Sequence, residues 1–127
     1  MKDLKKIYML SEIKKIISPD ILDFYSYWPA DEESFSFLLS VIVGPKGEKV
    51  EESFDIEVCT PKWLLKAYGE NDMIFGRHKL IVFKFDMDKI IARVRKAFDN
   101  CNGNDWNEIA TKLARIGHWE FEDYQER

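Results

Sequence analysis

Between Ser34 and Val43 the chain alternates, with Phe35, Phe37, Leu39 and Val41 on one face at the period of two expected of a strand. The other face also becomes apolar, at Leu38 and Ile42, which predicts a central strand covered on both sides near its end. Gly44-Pro45-Lys46-Gly47 supplies the residues of a tight reversal, so Val50 to Cys59 is expected to return antiparallel. There Phe54, Ile56 and Val58 alternate with Asp55 and Glu57, which predicts one wet, acidic face. Thr60 can cap a helix and Pro61 suits its first position, where a missing N–H has no intrahelical partner. Trp63, Leu64 and Ala67 give that helix a short apolar stripe, and Gly69 ends it. His78 to Phe85 reads as a further strand, with Asp86 placed to cap the next helix. In that helix Met87, Ile90, Ile91, Val94, Phe98 and Cys101 share one face, the strongest periodic signal in the chain. Asn102-Gly103-Asn104 breaks it, Asp105 with Glu108 has the spacing of a capping box, and Trp106, Ile109, Ala110, Leu113 and Ile116 repeat the stripe up to Gly117.

The N-terminal pattern is mixed, and a strand from about Leu10 fits best. Residues 1–9 then read as an appendage, with Met9 as an alternative start. Strands followed by helices define an α+β class. The expected architecture is an antiparallel sheet of about four strands, with two C-terminal amphipathic helices and a short helix packed on it, as a single domain over residues 1–127.

Composition narrows the class. The chain has 127 residues, 46% hydrophobic and 14% aromatic, enough for one buried core and too apolar for a disordered segment. Runs such as Val41-Ile42-Val43 fall far short of the ~20 residues that span a bilayer. Ile7 to Leu10 is also shorter than the roughly 7–15 apolar residues of a secretory signal, so the cytoplasm is the expected compartment. Cys59 and Cys101 lie in apolar sequence and read as two buried free thiols.

The formal net charge of −4 conceals segments of opposite sign. Residues 20–60 hold ten acids against two Lys, whereas residues 61–99 hold nine basic residues against five acids. The acids Asp31, Glu32, Glu33, Glu48, Glu51, Glu52, Asp55 and Glu57 are expected to gather around the first hairpin, a surface that attracts a basic partner or simply keeps the chain soluble. A second acidic feature is His118-Trp119-Glu120-Phe121-Glu122-Asp123-Tyr124, where rings alternate with carboxylates. Trp119 and Phe121 either complete the core or form a contact patch; core closure is the preferred reading, with the carboxylates exposed in both cases.

Catalytic and metal chemistry have weaker signals. His78 and His118 belong to no recurrent metal spacing, and Cys59 has no evident base beside it. Asp86, Asp88 and Glu120 could serve a small carboxylate enzyme if a shared cavity gathered them. Lys89, Arg93 and Lys96 share a helix face that would suit nucleic acid, or the ordinary polar side of an amphipathic helix.

The blocks from Phe54 to Leu64, Gly76-Arg77-His78 leading into Leu80-Ile81-Val82, Trp106, and Trp119 to Tyr124 resemble the immunity protein 8 family. The resemblance runs from about Leu10 to the end, and its shared motif is Phe54, Cys59, Thr60, Pro61, Trp63, Leu64, Trp106, Trp119 and Phe121. It implies a bacterial protein of a polymorphic-toxin or contact-dependent inhibition system that binds a cognate toxin C-terminal domain and needs no cofactor or metal. By that resemblance the partner is a protein, with no direct contact to nucleic acid or membrane. The motif coincides with expected core and caps, so toxin binding is assigned to the acidic residues Asp31, Glu32, Glu33, Glu48, Glu51, Glu52, Glu120, Glu122 and Asp123, with Tyr124.

Overall fold

The computed structural model describes residues 8–122. Its elements run β1 (Met9–Ile17), β2 (Ser36–Pro45), β3 (Glu52–Cys59), α1 (Pro61–Tyr68), β4 (Lys79–Ile81), α2 (Met87–Phe98), β5 (Asn102–Gly103), α3 (Trp106–Leu113) and β6 (His118–Trp119). Met9, expected in an appendage, opens β1 and pairs with Gly103, while residues 1–7 lie outside the described part.

The strands form one mixed six-stranded sheet in the order β4-β3-β2-β1-β5, with β6 also paired to β3. The class is α+β, as the chain's pattern predicts, with two short strands more than expected. β2 and β3 make the antiparallel hairpin, in register from Ser36 opposite Cys59 to Val43 opposite Glu52. At its turn Gly44 approaches the opposite backbone so closely that a Cβ there would meet the Val50 carbonyl oxygen at 1.8 Å. Only glycine fits that crossing.

The outer edge of β3 is covered in two pieces. β6 pairs antiparallel with its first half, Phe54 opposite Trp119, and β4 pairs with its second half, Val58 opposite Leu80. The β3–β4 pairing is parallel, which departs from the expected antiparallel sheet. A helix, α1, connects these two strands, and such a crossover returns the chain in the same direction. The expected strand His78–Phe85 shortens to Lys79–Ile81, because the Phe85 N–H leaves the ladder and donates to the Glu32 carbonyl at 2.8 Å.

One face of the sheet carries the core. Phe37, Leu39, Val41 and Val43 of β2 and Phe54, Ile56 and Val58 of β3 are buried against Ile90, Val94 and Phe98 of α2 and Ile109 and Leu113 of α3. Each such side chain contributes about 1.5–3 kcal/mol by leaving water. The buried Ser11 hydroxyl donates to the Phe98 carbonyl and accepts from the Cys101 N–H, tying β1 to the end of α2. The three helix caps form where expected: Thr60 accepts from Trp63, Asp86 from Lys89 and Asp105 from Glu108. Thr60 also accepts from the Phe35 N–H, so one buried hydroxyl joins the start of α1 to the start of β2. α1 itself has no buried residue and lies at the surface, where Trp63 and Leu64 are half-buried. Cys59 is buried, but Cys101 is only half-buried. Burial, then the nearby Glu57 charge, pushes the Cys59 thiol up to about 11, which leaves it unreactive at neutral pH.

Candidate functional site

β2 is ten residues long, so its two ends lie roughly 30 Å apart at about 3.3 Å per residue. That length divides the acidic residues expected around one hairpin. Glu48, Glu51 and Glu52 sit at the turn end, and Asp31, Glu32 and Glu33 precede β2 at the opposite end.

At the turn end β6 brings the C-terminal acidic stretch against the hairpin. Glu51, Glu52, Ser53, Asp55, His118, Trp119, Glu120 and Phe121 line a cleft of about 240 Å³, so the two acidic features of the sequence meet in one place. Glu52 is turned inward, because it shares the core-facing register of Val43 and Phe54. Its carboxylate accepts the Trp119 indole N–H at 2.7 Å and the Trp106 indole N–H at 2.5 Å. Hydrogen bonds to a charged group are worth about 1.5–3 kcal/mol each, and they fix both rings. Trp119 also stacks on Phe54, with centroids 6.1 Å apart. Glu52 is thus a structural clamp joining β3, α3 and β6.

Around the clamp, Asp55 accepts from the Ser40 and Ser53 hydroxyls at 2.8 and 3.0 Å. Trp119 closes the core as expected, at 7% exposure. Phe121 does not: it stands 45% exposed at the cleft, two residues beyond the last paired residue. Glu122 is ion-paired with Arg77, while Asp123 and Tyr124 lie outside the described residues. His78, half-buried, contacts the Ala114 carbonyl oxygen through Nε2 at 2.8 Å and lies 5.7 Å from His118, ring centroid to ring centroid. No group of three or more metal-binding side chains occurs among the described residues.

At the opposite end Asp31 accepts from the Glu33 N–H and pairs with Lys62 at 3.3 Å, contacts that hold its carboxyl below its ordinary range. Beside it the segment between β1 and β2 exposes Leu22, Tyr25 and Trp28, and further along the chain Met73 and Phe75 are almost fully exposed. These apolar residues were not singled out from the sequence. Their signal is aromatic and aliphatic residues in aperiodic stretches, flanked by Asp, Ser, Pro and Gly, which no strand or helix face can bury.

The carboxylates considered for catalysis do not share a cavity. Asp86 and Asp88 border a hollow beside Tyr25 and Trp28, whereas Glu120 lines the cleft at β6. Lys89, Arg93 and Lys96 are exposed along α2, and the first two border a hollow against β4. No described helix is long and apolar enough to cross a membrane.

An α+β scaffold with acidic, aromatic surface at both ends of its longest hairpin has the makings of a protein-binding module. A family model described as Immunity protein 8 matches residues 11–124, and the chain belongs to that family of immunity proteins. No curated protein and no solved structure matches it.

Proposed function

We propose that this protein neutralises a cognate toxin C-terminal domain by stoichiometric binding, and that it catalyses no reaction itself. Its membership of an immunity-protein family is the observation that carries this reading. The toxin belongs to a contact-dependent inhibition or polymorphic-toxin system and meets its inhibitor in the cytoplasm. A nuclease is the favoured toxin, because a cleft that holds phosphates must be basic and an acidic inhibitor surface can occupy it.

The contact residues in this reading are Glu48, Glu51, Glu120 and Glu122 at the turn end and Asp31, Glu32 and Glu33 at the other end, together with Asp123 and Tyr124, which lie outside the described residues. Glu52 contributes by holding Trp119 in place beneath Glu120 and Phe121.

The test uses the toxin domain encoded beside this protein's gene. A one-to-one complex is expected in size-exclusion chromatography, with loss of toxin activity at equimolar inhibitor. The double reversal Glu51→Lys, Glu120→Lys should weaken binding roughly tenfold or more and flatten its dependence on salt. Unchanged affinity and salt dependence would remove the cleft from the interface. Failure of the wild-type protein to bind or inhibit the toxin would overturn the immunity reading.

A further inference from the structure

Beyond the β6 cleft, the opposite end of the molecule holds a hollow of about 360 Å³ whose walls are aromatic and whose rim is acidic. Phe85 forms its floor at 4% exposure. Tyr27 and Trp28 pack against Phe85 at steep angles, 69° and 73°, with ring centroids 5.7 and 4.9 Å away. Trp28 nevertheless remains 65% exposed, and Tyr25 on the same wall is fully exposed. Burial and then the Asp20 charge hold the Tyr27 phenol above its ordinary pKa, so it stays neutral. Large rings anchored on a buried floor and left open to water have the character of a binding hot spot.

The charged residues that line this hollow are both acids. Asp86 and Asp88 stand on the rim, and no Lys or Arg lines the hollow. Residues 20–33, which supply the aromatic wall, contain five carboxylates and no basic residue. The positive end of α2 answers part of that charge, at about half an elementary unit, and Asp86 caps it with one oxygen. Lys84 and Lys89 border an adjoining hollow that shares Asp86, and Asp86 and Asp88 remain the charged groups that line the one with the open rings, where a cation–π contact strengthens as water is displaced. A second copy of this chain is a poor occupant, because its matching end would bring the same acids into opposition.

The geometry points to an arginine side chain of a protein partner as the occupant, its guanidinium lying on the Trp28 and Tyr25 rings and paired with Asp88. Arginine suits the site better than lysine because its planar, weakly hydrated group stacks on rings and pairs with a carboxylate at once. The partner's identity as the toxin rests on the function proposed above; the ligand chemistry of the hollow does not.

Two arms test it. In the first, a short Gly/Ser peptide carrying one arginine is titrated into the isotope-labelled protein, beside the same peptide with citrulline, which keeps the shape and removes the charge. Saturable amide shifts confined to residues 24–28 and 85–88 are expected, at least fivefold weaker with citrulline and lost in Trp28→Ala and in Tyr25→Ser. Equal response to both peptides, no saturation, or shifts centred on the β6 cleft would overturn the inference. In the second arm, Trp28→Ala should weaken the complex with the toxin domain about tenfold, while the lost contact with Phe85 lowers the unfolding midpoint only slightly. If the toxin binds and Trp28→Ala has no effect, the hollow is not an anchor. If the wild type does not bind the toxin, the immunity reading fails and the peptide arm alone decides the hollow.

Discussion

At the turn end of the β2–β3 hairpin the carboxylate of Glu52 is drawn inward by two indole N–H groups, while at the opposite end Asp31, Glu32 and Glu33 adjoin rings that the fold leaves open. The two ends carry the same sign of charge. They differ in where their aromatic residues stand: Trp119 is buried and Trp106 half-buried, held by an acid, whereas Trp28 and Tyr25 are exposed beside acids held mainly by solvent and surface contacts. Acidic residues near tryptophan therefore stand in two settings in this one protein, and only side-chain geometry separates them.

The contrast has measurable consequences. The largest concerns the turn itself: Gly44→Ala would drive a methyl group into the Val50 backbone, and urea unfolding should show a loss of about 3 kcal/mol or more. Glu52→Ala follows closely, at about 2–3 kcal/mol, since two indole donors lose their acceptor together; Glu52→Gln should recover part of that. A Glu52→Ala variant as stable as the wild type would refute the clamp.

Glu57 of β3 and Lys79 of the adjoining β4 give an intermediate effect. Burial raises the Glu57 carboxyl, but its hydrogen bonds from Lys79 and Ser36 outweigh that and leave it below its ordinary 4.5. The same hydrogen bond raises Lys79 above its ordinary 10.5. A depressed carboxyl stabilises the fold above its unfolded pKa and loses that contribution as pH falls through the folded value. A raised ammonium does so below its unfolded pKa and loses it as pH climbs. The pair should therefore stabilise the fold between about pH 4.5 and 10.5, by about 0.5 kcal/mol after solvent screening, and Lys79→Met should flatten the acid limb of a stability–pH curve. The smallest effect belongs to the far end: Asp31→Ala with Glu33→Ala should leave the urea midpoint almost where it is, because the Asp31–Lys62 pair is exposed. A larger loss would show that these acids, too, belong to the framework.

Periodicity and caps made the central parts of the fold legible. The alternation of Phe35 to Val41, the return through Phe54 to Val58, and the stripes of α2 and α3 each encode a buried face locally, and Thr60, Asp86 and Asp105 mark helix starts by side-chain chemistry alone. β5 and β6 are two residues long, too short to show any period, and exist because β1 and β3 offer edges to them. The parallel direction of β4 follows from the crossover and leaves no mark in its own residues. The acidic candidates were visible as a charge run, but the 54 and 67 residues separating Glu52 from its two tryptophans hide the clamp from any local pattern. Phe121 shows the converse: an alternation that looks like continued burial simply runs past the end of the pairing.

The two-piece cover on β3 has a further consequence for synthesis. β4 arrives from nearby sequence, but β6 and its Trp119 are among the last parts of the described chain to leave the ribosome. Until then the first half of β3 presents unpaired backbone, a template for association with other chains, and Glu52 lacks one of its two donors. Sealing that edge makes tertiary structure dependent on synthesis as far as Trp119. Fragments cut before His118 would leave the first half of β3 unpaired, open to proteolysis and self-association.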